Sequence, residues 1–266
     1  MAKIYFYNED CIQTMKRMQD KDFKVDIVLT SPPYNSGRNS NSERSLKHHE
    51  SRYDIHLDNM SDEEYVTWIT ELFNNFDKIL KPNGIVLWNI SYGNEKPNSM
   101  WLSLLSLLQN TNFMIAEMII WKKKSALPNN VSHNKLTRIV EPVFVLCRKD
   151  EYKTYNANKE VKNVSKTGQK YYKNIYNFIE APNNDGSCEL NKATYSSELC
   201  EKLLTIYSKK DYIIYDPFMG TGTTAIACET YGDNDMMCIG SEISEGQVKF
   251  SKERLFNHKL TIIKSV

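Results

Sequence analysis

The chain has 266 residues, of which 41% are hydrophobic and 25% charged, and its formal net charge is +1. This size allows one sizeable core and a small appended region. No apolar run approaches the roughly 18 residues of a membrane helix, and the N-terminus lacks the apolar core of a signal peptide, so we expect a cytoplasmic protein with no membrane partner. The small net charge leaves nucleic-acid binding open, because such binding depends on local charge.

The six cysteines are scattered along the chain, and no two of them form a C-x-x-C pair. This spacing argues against both a zinc site and a disulfide framework. We therefore expect reduced, mostly buried thiols and no metal site.

Short apolar runs alternate with amphipathic stretches, a pattern typical of an α/β domain with a largely parallel sheet. Strands are predicted at Lys3–Tyr7, Val25–Thr30, Ile85–Ile90, Met114–Trp121, Val140–Arg148, Tyr212–Tyr215 and Met236–Ser241. Helices are predicted at Cys11–Met18, Ser61–Leu80, Ser99–Gln109, Ser196–Tyr207, Thr223–Tyr231 and Ser244–Phe256.

The helix from Ser61 carries the clearest signals. Ser61 and Glu64 have capping-box spacing, and apolar residues then recur at steps of three and four up to Leu80. The Lys-Pro-Asn-Gly stretch at 81–84 is expected to end the helix and turn the chain into the next strand.

Two polar segments interrupt the alternation of strands and helices. Residues Asn35–Asn59 are rich in Ser, Asn, Arg and His, and residues Lys149–Asn191 are rich in Lys, Asn and Tyr with little periodicity. Long segments of this kind inside a domain are usually functional or disordered. We therefore divide the chain into residues 1–148, an inserted segment at 149–191, and residues 192–266.

The first chemical motif is Ser31-Pro32-Pro33-Tyr34, directly after the apolar strand that ends at Thr30. Ligand crevices of open α/β sheets form at the carboxyl ends of strands. The two prolines fix the backbone and remove its N–H groups, so carbonyl oxygens and the Ser31 hydroxyl can face a ligand. With the aromatic ring that follows, the turn suits a planar ligand bearing an amino group. A rigid turn without a ligand is the structural alternative.

The second motif spans Asp216–Thr224, with the sequence Asp-Pro-Phe-Met-Gly-Thr-Gly-Thr-Thr, between a strand and a helix. Glycines there permit a tight turn and the close approach of a ligand to backbone N–H groups. Glu242 ends the next strand about twenty residues later, where a carboxylate can accept hydrogen bonds from ribose hydroxyls. The motif predicts a nucleoside site. Gly220, Gly222 and Ala225 also satisfy a loose dinucleotide fingerprint, so a nicotinamide-dependent oxidoreductase remains an alternative.

Together the two motifs resemble those of the amino-directed DNA methyltransferases. Residues 216–224 are similar to the S-adenosylmethionine motif of that family, and residues 31–34 are similar to its catalytic motif. The catalytic motif comes first, as in the beta class. The resemblance implies a Rossmann-like S-adenosylmethionine-dependent methyltransferase fold, with a mostly parallel sheet, helices on both faces and an inserted target-recognition segment at 149–191.

The resemblance also implies roles for individual residues. Ser31 and the Pro32 carbonyl would accept hydrogen bonds from the target amino group, Pro33 would complete the turn, and Tyr34 would hold the flipped base. The implied cofactor-binding residues are Asp10, Thr194, Tyr195, Asp216, Phe218, Gly220, Gly222, Thr223 and Glu242. The chain departs from the family at Asn191–Ser196, where a His-Pro-x-x-x-Pro-like segment is common, which weakens the assignment of Thr194 and Tyr195.

Three features bear on the reaction. Carbon methylation of cytosine uses a Pro-Cys nucleophile, and none of the six cysteines follows a proline. Ser31 is the first residue of the catalytic motif. Within the family, Ser at this position resembles the cytosine-N4 enzymes, whereas Asp or Asn is usual in the adenine enzymes. Cytosine N4 is therefore favoured, with adenine N6 as the alternative. A non-catalytic DNA-binding module is a further alternative that the intact motifs disfavour.

Basic residues mixed with aromatics indicate where double-stranded DNA would bind. The candidates are Lys122, Lys124, His133, Lys135, Arg138, Lys162, Lys166 and Lys170. Residues Asn35–Asn59, which follow the catalytic motif, are a second candidate for closing over DNA. Beta-class relatives often form homodimers and act beside a separate restriction endonuclease, so the resemblance implies both as hypotheses.

Overall fold

A computed structural model describes residues 1–36, 60–92, 96–126, 128–130, 132–185, 190–191, 194–233 and 235–265. Its strands are β1 (Lys3–Tyr7), β2 (Val25–Thr30), β3 (Leu80–Asn89), β4 (Phe113–Lys123), β5 (Val140–Arg148), β6 (Val161–Val164), β7 (Lys170–Tyr172), β8 (Phe178–Ala181), β9 (Ile213–Asp216) and β10 (Met237–Ser241). Its helices are α1 (Cys11–Asp20), α2 (Asp62–Ile79), α3 (Ser99–Asn110), α4 (Ser197–Tyr207), α5 (Thr223–Tyr231) and α6 (Glu245–Ser265), and a single 3₁₀ turn covers Lys149–Glu151.

Eight strands form one sheet in the order β1-β10-β9-β2-β3-β5-β4-β8. Neighbours pair in parallel except where β5 pairs antiparallel with β3 and with β4. Among the described strands of this sheet, β5 therefore runs opposite to the rest. The expected α/β fold with a mostly parallel sheet is confirmed.

The central strands are buried on both faces, and alternate residues enter two separate cores. Ile27 and Leu29 of β2 pack in the core that also contains residues of α4 and α5. Val28 points the other way, into the core formed with α1, α2 and α3. Strands of this kind have nearly continuous apolar sequences, which is why β2 was recognisable from its sequence.

Helix α2 begins as its sequence predicts and ends one residue earlier. The Ser61 side chain accepts from the Glu64 N–H at 3.1 Å, and the Glu64 carboxylate accepts from the Ser61 N–H at 2.8 Å. Leu80 already belongs to β3, where it pairs with Val25, while Ile85 pairs with Ile27. The 81–84 stretch is therefore a bulge inside β3, and the prediction of a strand starting only at Ile85 was wrong.

The inserted segment contains more regular structure than its sequence suggested. Strands β6 and β7 form a separate two-stranded sheet whose residues are all exposed. Strand β8 pairs with β4 at the edge of the main sheet, and Ile179 and Ala181 enter the core. Little periodicity appears in the sequence because an exposed hairpin has no apolar face, and β8 alternates over only four residues.

In the described part of the chain, no helix is both long and apolar enough to cross a bilayer.

Gly240 in β10 offers a test of the packing beneath the site. A Cβ there would lie 2.7 Å from Cγ and 2.8 Å from Cβ of Met219. We expect Gly240→Ala to lower the free energy of unfolding by about 1–3 kcal/mol, because the Met219 side chain has to shift. Urea unfolding measures this change. Gly246→Ala is the matched control, since its added methyl meets Leu190 at 3.4 Å and the Ser244 hydroxyl at 3.8 Å, which are ordinary contact distances, and its stability should be unchanged or higher.

Candidate active site

The site lies at the carboxyl ends of β2, β9 and β10. From β2 the sheet continues to β3 on one side, and from β9 it continues to β10 on the other, so the order of strands reverses between β2 and β9. Ligands of open α/β sheets bind in the crevice at such a point. The Thr30 hydroxyl at the end of β2 donates to the Asp216 carboxylate at the end of β9 at 2.6 Å, which joins the two halves of the chain directly below the crevice.

Asp216 is fully buried, and its carboxylate accepts hydrogen bonds from several groups of the protein. The donors are the Thr30 and Thr224 hydroxyls at 2.6 and 2.5 Å, the Phe218 N–H at 3.0 Å and the Tyr195 hydroxyl at 3.4 Å. Burial raises the pKa of Asp216, and these hydrogen bonds oppose the rise. Asp216 holds the site together from beneath and is not among the residues that line the pocket above it.

The glycine loop after β9 has left-handed backbone at Gly220 (φ +51°) and Gly222 (φ +83°). A Cβ at Gly220 would lie 3.2 Å from the Asn191 amide nitrogen and 3.4 Å from the Gln247 amide oxygen. The Gly220 N–H donates to one oxygen of Glu242 at 2.9 Å, and the Ser244 N–H donates to the other oxygen at 2.9 Å. These contacts fix the Glu242 carboxylate against the loop.

Helix α6 braces this loop from outside. The Ser251 hydroxyl donates to the Gly220 carbonyl at 2.6 Å, and Arg254 donates to the Thr221 carbonyl at 3.1 Å and to the Thr223 hydroxyl at 3.2 Å. Arg254 also pairs with Asp185 at 2.7 Å, at the end of the inserted segment. The loop conformation thus depends on α6 as well as on its own glycines.

A pocket at this edge brings together most of the predicted site residues. From the predicted cofactor set, the lining includes Asp10, Thr194, Tyr195, Phe218, Gly220, Thr223 and Glu242. Gly222 is outside the lining, as Asp216 is, and it precedes α5 in the loop. Asp10 caps α1 by accepting from the Ile12 N–H at 2.8 Å.

From the predicted catalytic motif, Ser31 and Pro33 line the same pocket, whereas Pro32 and Tyr34 do not. The Tyr65 hydroxyl donates to the Pro33 carbonyl at 2.8 Å, so this carbonyl already has a donor. The Ser31 hydroxyl lies 3.0 Å from the Tyr34 hydroxyl. Ser31 therefore faces the pocket with its oxygen held by its neighbour. The remainder of the 35–59 segment, residues 37–59, lies outside the described residues.

The sequence did not point to three polar or aromatic residues of the lining. The spacing of Trp68 places it on the apolar face of α2, but its half-buried ring faces the pocket, 5.5 Å from the Phe218 ring. Asn191 and Gln247 are buried and joined by a hydrogen bond of 3.0 Å. Helical periodicity could not separate Trp68 from core residues, and the two amides belong to no motif.

The predicted DNA-contacting residues fall into two groups. Near the carboxyl edge, Lys122 pairs with Glu180 at 2.6 Å and Lys124 pairs with Glu198 at 3.1 Å. Arg138 donates to the Tyr92 carbonyl and lies 3.9 Å above its ring, while His133 and Lys135 are exposed in the loop before β5. The second group is exposed on the hairpin of β6 and β7 and comprises Lys162, Lys166 and Lys170.

Comparison with known proteins agrees with this geometry. A family model described as a DNA methylase of the N6/N4 type matches residues 25–253. The chain belongs to the N6/N4 DNA methylase family. S-adenosylmethionine is the cofactor of this family, which confirms the expected cofactor. The nicotinamide-dependent alternative has no support from this match.

Individual relatives are distant in sequence. The type II methyltransferase M.BglII from Bacillus subtilis is 26% identical over 239 residues, which cover 82% of this chain and 60% of that protein. The cytosine-N4-specific PvuII DNA methyltransferase has a TM-score of 0.66 at 17% identity, covering 99% of this chain and 94% of that one. The structure of M1.HpyAVI with S-adenosylmethionine has a TM-score of 0.61 at 21% identity, and the match covers 95% of this chain and 99% of that one. These two structures share the fold of this protein.

The pocket residues fit S-adenosylmethionine. Carboxylates at Asp10 and Glu242 are suited to hydroxyl and amino donors, and the rings of Trp68 and Phe218 provide flat apolar surface for a base. The short distances that a Cβ at Gly220 would have to its neighbours show that the loop packs closely against the Asn191 and Gln247 amides.

Gly220 provides the test of this assignment. We expect Gly220→Ala to weaken S-adenosylmethionine binding by at least about 10-fold, because the methyl group presses on the Asn191 and Gln247 amides at 3.2 and 3.4 Å, so that these amides or the loop must shift within the pocket. Isothermal titration calorimetry measures the affinity. Gly168→Ala is the matched control: its φ of +82° gives the same kind of backbone strain, yet nothing lies within 4 Å of its Cβ. Unchanged affinity in Gly220→Ala would contradict the role of the loop.

Proposed function

We propose that this protein transfers a methyl group from S-adenosylmethionine to the exocyclic amino nitrogen of a flipped base in double-stranded DNA, and that the base is cytosine, methylated at N4. The proposal rests on one observation about the pocket. Ser31 belongs to the turn Ser31–Tyr34, here called the catalytic turn, and it lines the same pocket as Gly220 and Glu242. The glycine loop and Glu242 are here called the nucleoside half of the site. A bound cofactor and an amino group held at Ser31 would therefore be neighbours.

S-adenosylmethionine supplies a methyl group activated by its sulfonium centre. Asp10 and Glu242 would hold the adenosine part through its hydroxyl and amino donors, and Trp68 and Phe218 would pack against its base. The glycine loop would contact the methionine part. Each of these tasks is binding and orientation, which is where a direct transfer between two bound groups gains its rate.

Ser31 and the proline turn would make the amino nitrogen a better nucleophile. Pro32 and Pro33 have no N–H groups, so the Ser31 hydroxyl and the Pro32 carbonyl can accept without competing backbone donors, while the Pro33 carbonyl already accepts from Tyr65. An amino group that donates to these acceptors has its lone pair less delocalised into the ring. Fixed acceptors aimed at the nitrogen stabilise the positive charge that it acquires during transfer. The methyl–sulfur bond breaks as the methyl–nitrogen bond forms, S-adenosylhomocysteine leaves, and the methylated amino group loses one proton to water.

The choice of cytosine rests on the leading Ser31 of the turn. Adenine N6 is the second candidate, because both bases present a similar amino group beside a ring nitrogen. Either base has to leave the helical stack to reach a pocket at the edge of the sheet. Double-stranded DNA is the proposed partner, and homodimer formation and a separately acting restriction endonuclease remain hypotheses from the resemblance.

The first test identifies the modified base. Genomic DNA from cells that express the protein is digested to nucleosides and analysed by mass spectrometry, and we expect N4-methylcytosine. N6-methyladenine would retain the reaction and reverse the choice of base. The absence of both from DNA of varied sequence would contradict the proposed reaction.

Ser31→Ala should lower the single-turnover rate by about 100-fold, comparable to the loss of one preorganised group at a reacting centre, with S-adenosylmethionine affinity nearly unchanged. Ser103→Ala is the control, because its buried hydroxyl donates to the Met100 carbonyl within α3, away from the pocket. A Ser31 variant that lost cofactor affinity instead would contradict the division of the site into two halves.

The exposed hairpin lysines should contribute to DNA binding by neutralising phosphates. Replacing Lys162, Lys166 and Lys170 by Ala should weaken binding and reduce the slope of log affinity against log salt by up to about 2.7, at about 0.9 for each phosphate that is no longer neutralised. Fluorescence anisotropy over a salt series measures the slope. Asp22→Asn together with Lys24→Gln is the control, since this removes a 3.1 Å ion pair just before β2, at the opposite end of that strand from the site, without changing the net charge. An unchanged slope in the triple variant would exclude the hairpin from the interface.

A further inference from the structure

The hydroxyl of Tyr34 sits among three side-chain oxygens at the edge of the pocket. Ser31 Oγ lies 3.0 Å away, Asn89 Oδ1 lies 3.1 Å away and Glu141 Oε2 lies 3.4 Å away. Asn89 is the last residue of β3, and Glu141 is the second residue of β5. Because β5 runs antiparallel, its first residues reach the same edge as the carboxyl ends of its neighbours.

The donors and acceptors in this group have a defined direction. The Asn89 amide nitrogen donates to the Pro142 carbonyl at 3.1 Å, which turns its oxygen towards Tyr34. Glu141 is a carboxylate whose other oxygen pairs with Lys123 at 2.6 Å, so it offers Tyr34 an acceptor. The single hydrogen of the Tyr34 hydroxyl therefore points to Asn89 or Glu141, and Ser31 becomes the donor to the Tyr34 oxygen.

This direction decides how Ser31 meets a ligand. With its hydrogen committed to Tyr34, the Ser31 oxygen presents lone pairs to the pocket and acts as an acceptor. If Tyr34 donated to Ser31 instead, the Ser31 hydrogen would be free to point into the pocket, where it would oppose an amino donor. A hydroxyl chain that ends at a carboxylate is polarised in one sense along its length.

We propose that Glu141, together with Asn89, is a positioning residue that fixes this hydroxyl chain, so that Ser31 faces the target amino group as an acceptor. Glu141 acts through Tyr34 and does not touch the substrate. Asn89 is the nearer acceptor, and Glu141 adds the negative charge that sets the direction of the chain. The proposal rests on the proposed methyl transfer, and it assigns a role to a residue that belongs to neither motif.

Glu141→Gln is the informative variant because it keeps the size of the side chain. Its amide oxygen will face Lys123, and its amide nitrogen will donate to the Tyr34 oxygen, where it competes with the Ser31 hydroxyl, while the negative charge that fixes the direction of the chain is lost. We expect the single-turnover rate to fall by about 10-fold, comparable to the loss of a group that orients a functional side chain, while the affinity for S-adenosylmethionine stays the same.

A double-mutant cycle with Tyr34→Phe distinguishes positioning from general support of the fold. Tyr34→Phe removes the hydroxyl through which Glu141 acts, so Glu141→Gln should have little further effect on the rate in that background. Equal effects of Glu141→Gln in the two backgrounds would overturn the proposal. Asp26→Asn is the matched control: Asp26 pairs with Lys81 at 2.7 Å and accepts from the Ile213 N–H at the opposite end of β2, so its effect should be on stability only.

The wild-type protein, the two single variants Tyr34→Phe and Glu141→Gln, and the double variant can also be unfolded in urea. This gives a second cycle that requires no enzymatic activity. The hydroxyl chain predicts that the stability changes of Tyr34→Phe and Glu141→Gln are not additive, and additive changes would overturn it. If the wild-type protein binds S-adenosylmethionine but methylates no DNA, the proposed function fails. The stability cycle still decides whether Ser31, Tyr34 and Glu141 form the hydroxyl chain.

Discussion

The hydrogen bond between Thr30 and the buried Asp216 joins β2 and β9, the two strands between which the order of strands in the sheet reverses. Each strand ends in one of the two chemical motifs, so this hydrogen bond sets the distance between the catalytic turn and the glycine loop. The Asp216 carboxylate also accepts from Thr224, Tyr195 and the Phe218 N–H. A carboxylate buried with this many donors is costly to disturb, because each donor would be left without its acceptor in the protein interior.

Above this hydrogen bond, the two halves of the site are built differently. The nucleoside half depends on backbone conformation, with left-handed glycines braced by Ser251 and Arg254 of α6. The catalytic half depends on side-chain hydroxyls: the Tyr65 hydroxyl donates to the Pro33 carbonyl, and the Tyr34 hydroxyl is hydrogen-bonded to Ser31. Changes in the first half are therefore expected to act on cofactor affinity, and changes in the second half on the rate of transfer.

Much of the fold was predictable because buried parallel strands and capped helices carry strong local signals. Strand β2 is apolar almost throughout, and Ser61 with Glu64 marks the start of α2. The two motifs were placed correctly at strand ends, and the rule for open sheets then brought Ser31, Gly220 and Glu242 to one pocket.

The features that were missed are set by contacts distant in sequence. The bulge in β3 depends on pairing with β2, and the exposed strands β6 and β7 have no apolar face to mark them. The glycine motif predicts Asp216 as a cofactor contact because the motif faces the ligand, although the Asp216 side chain itself turns inward. Glu141 and Asn89 reach the catalytic turn only because β3 and β5 are adjacent and antiparallel.

The sequence separation between Thr30 and Asp216 also has a consequence for biosynthesis. The two residues are 186 positions apart, so at about 5–20 residues per second the ribosome takes roughly 10 to 40 seconds to synthesise the intervening chain. During this time β2, an apolar strand that ends at the catalytic turn, has no β9 beside it. Its unpaired edge resembles that of an aggregation-prone intermediate, and folding of the site has to wait for the second half of the chain.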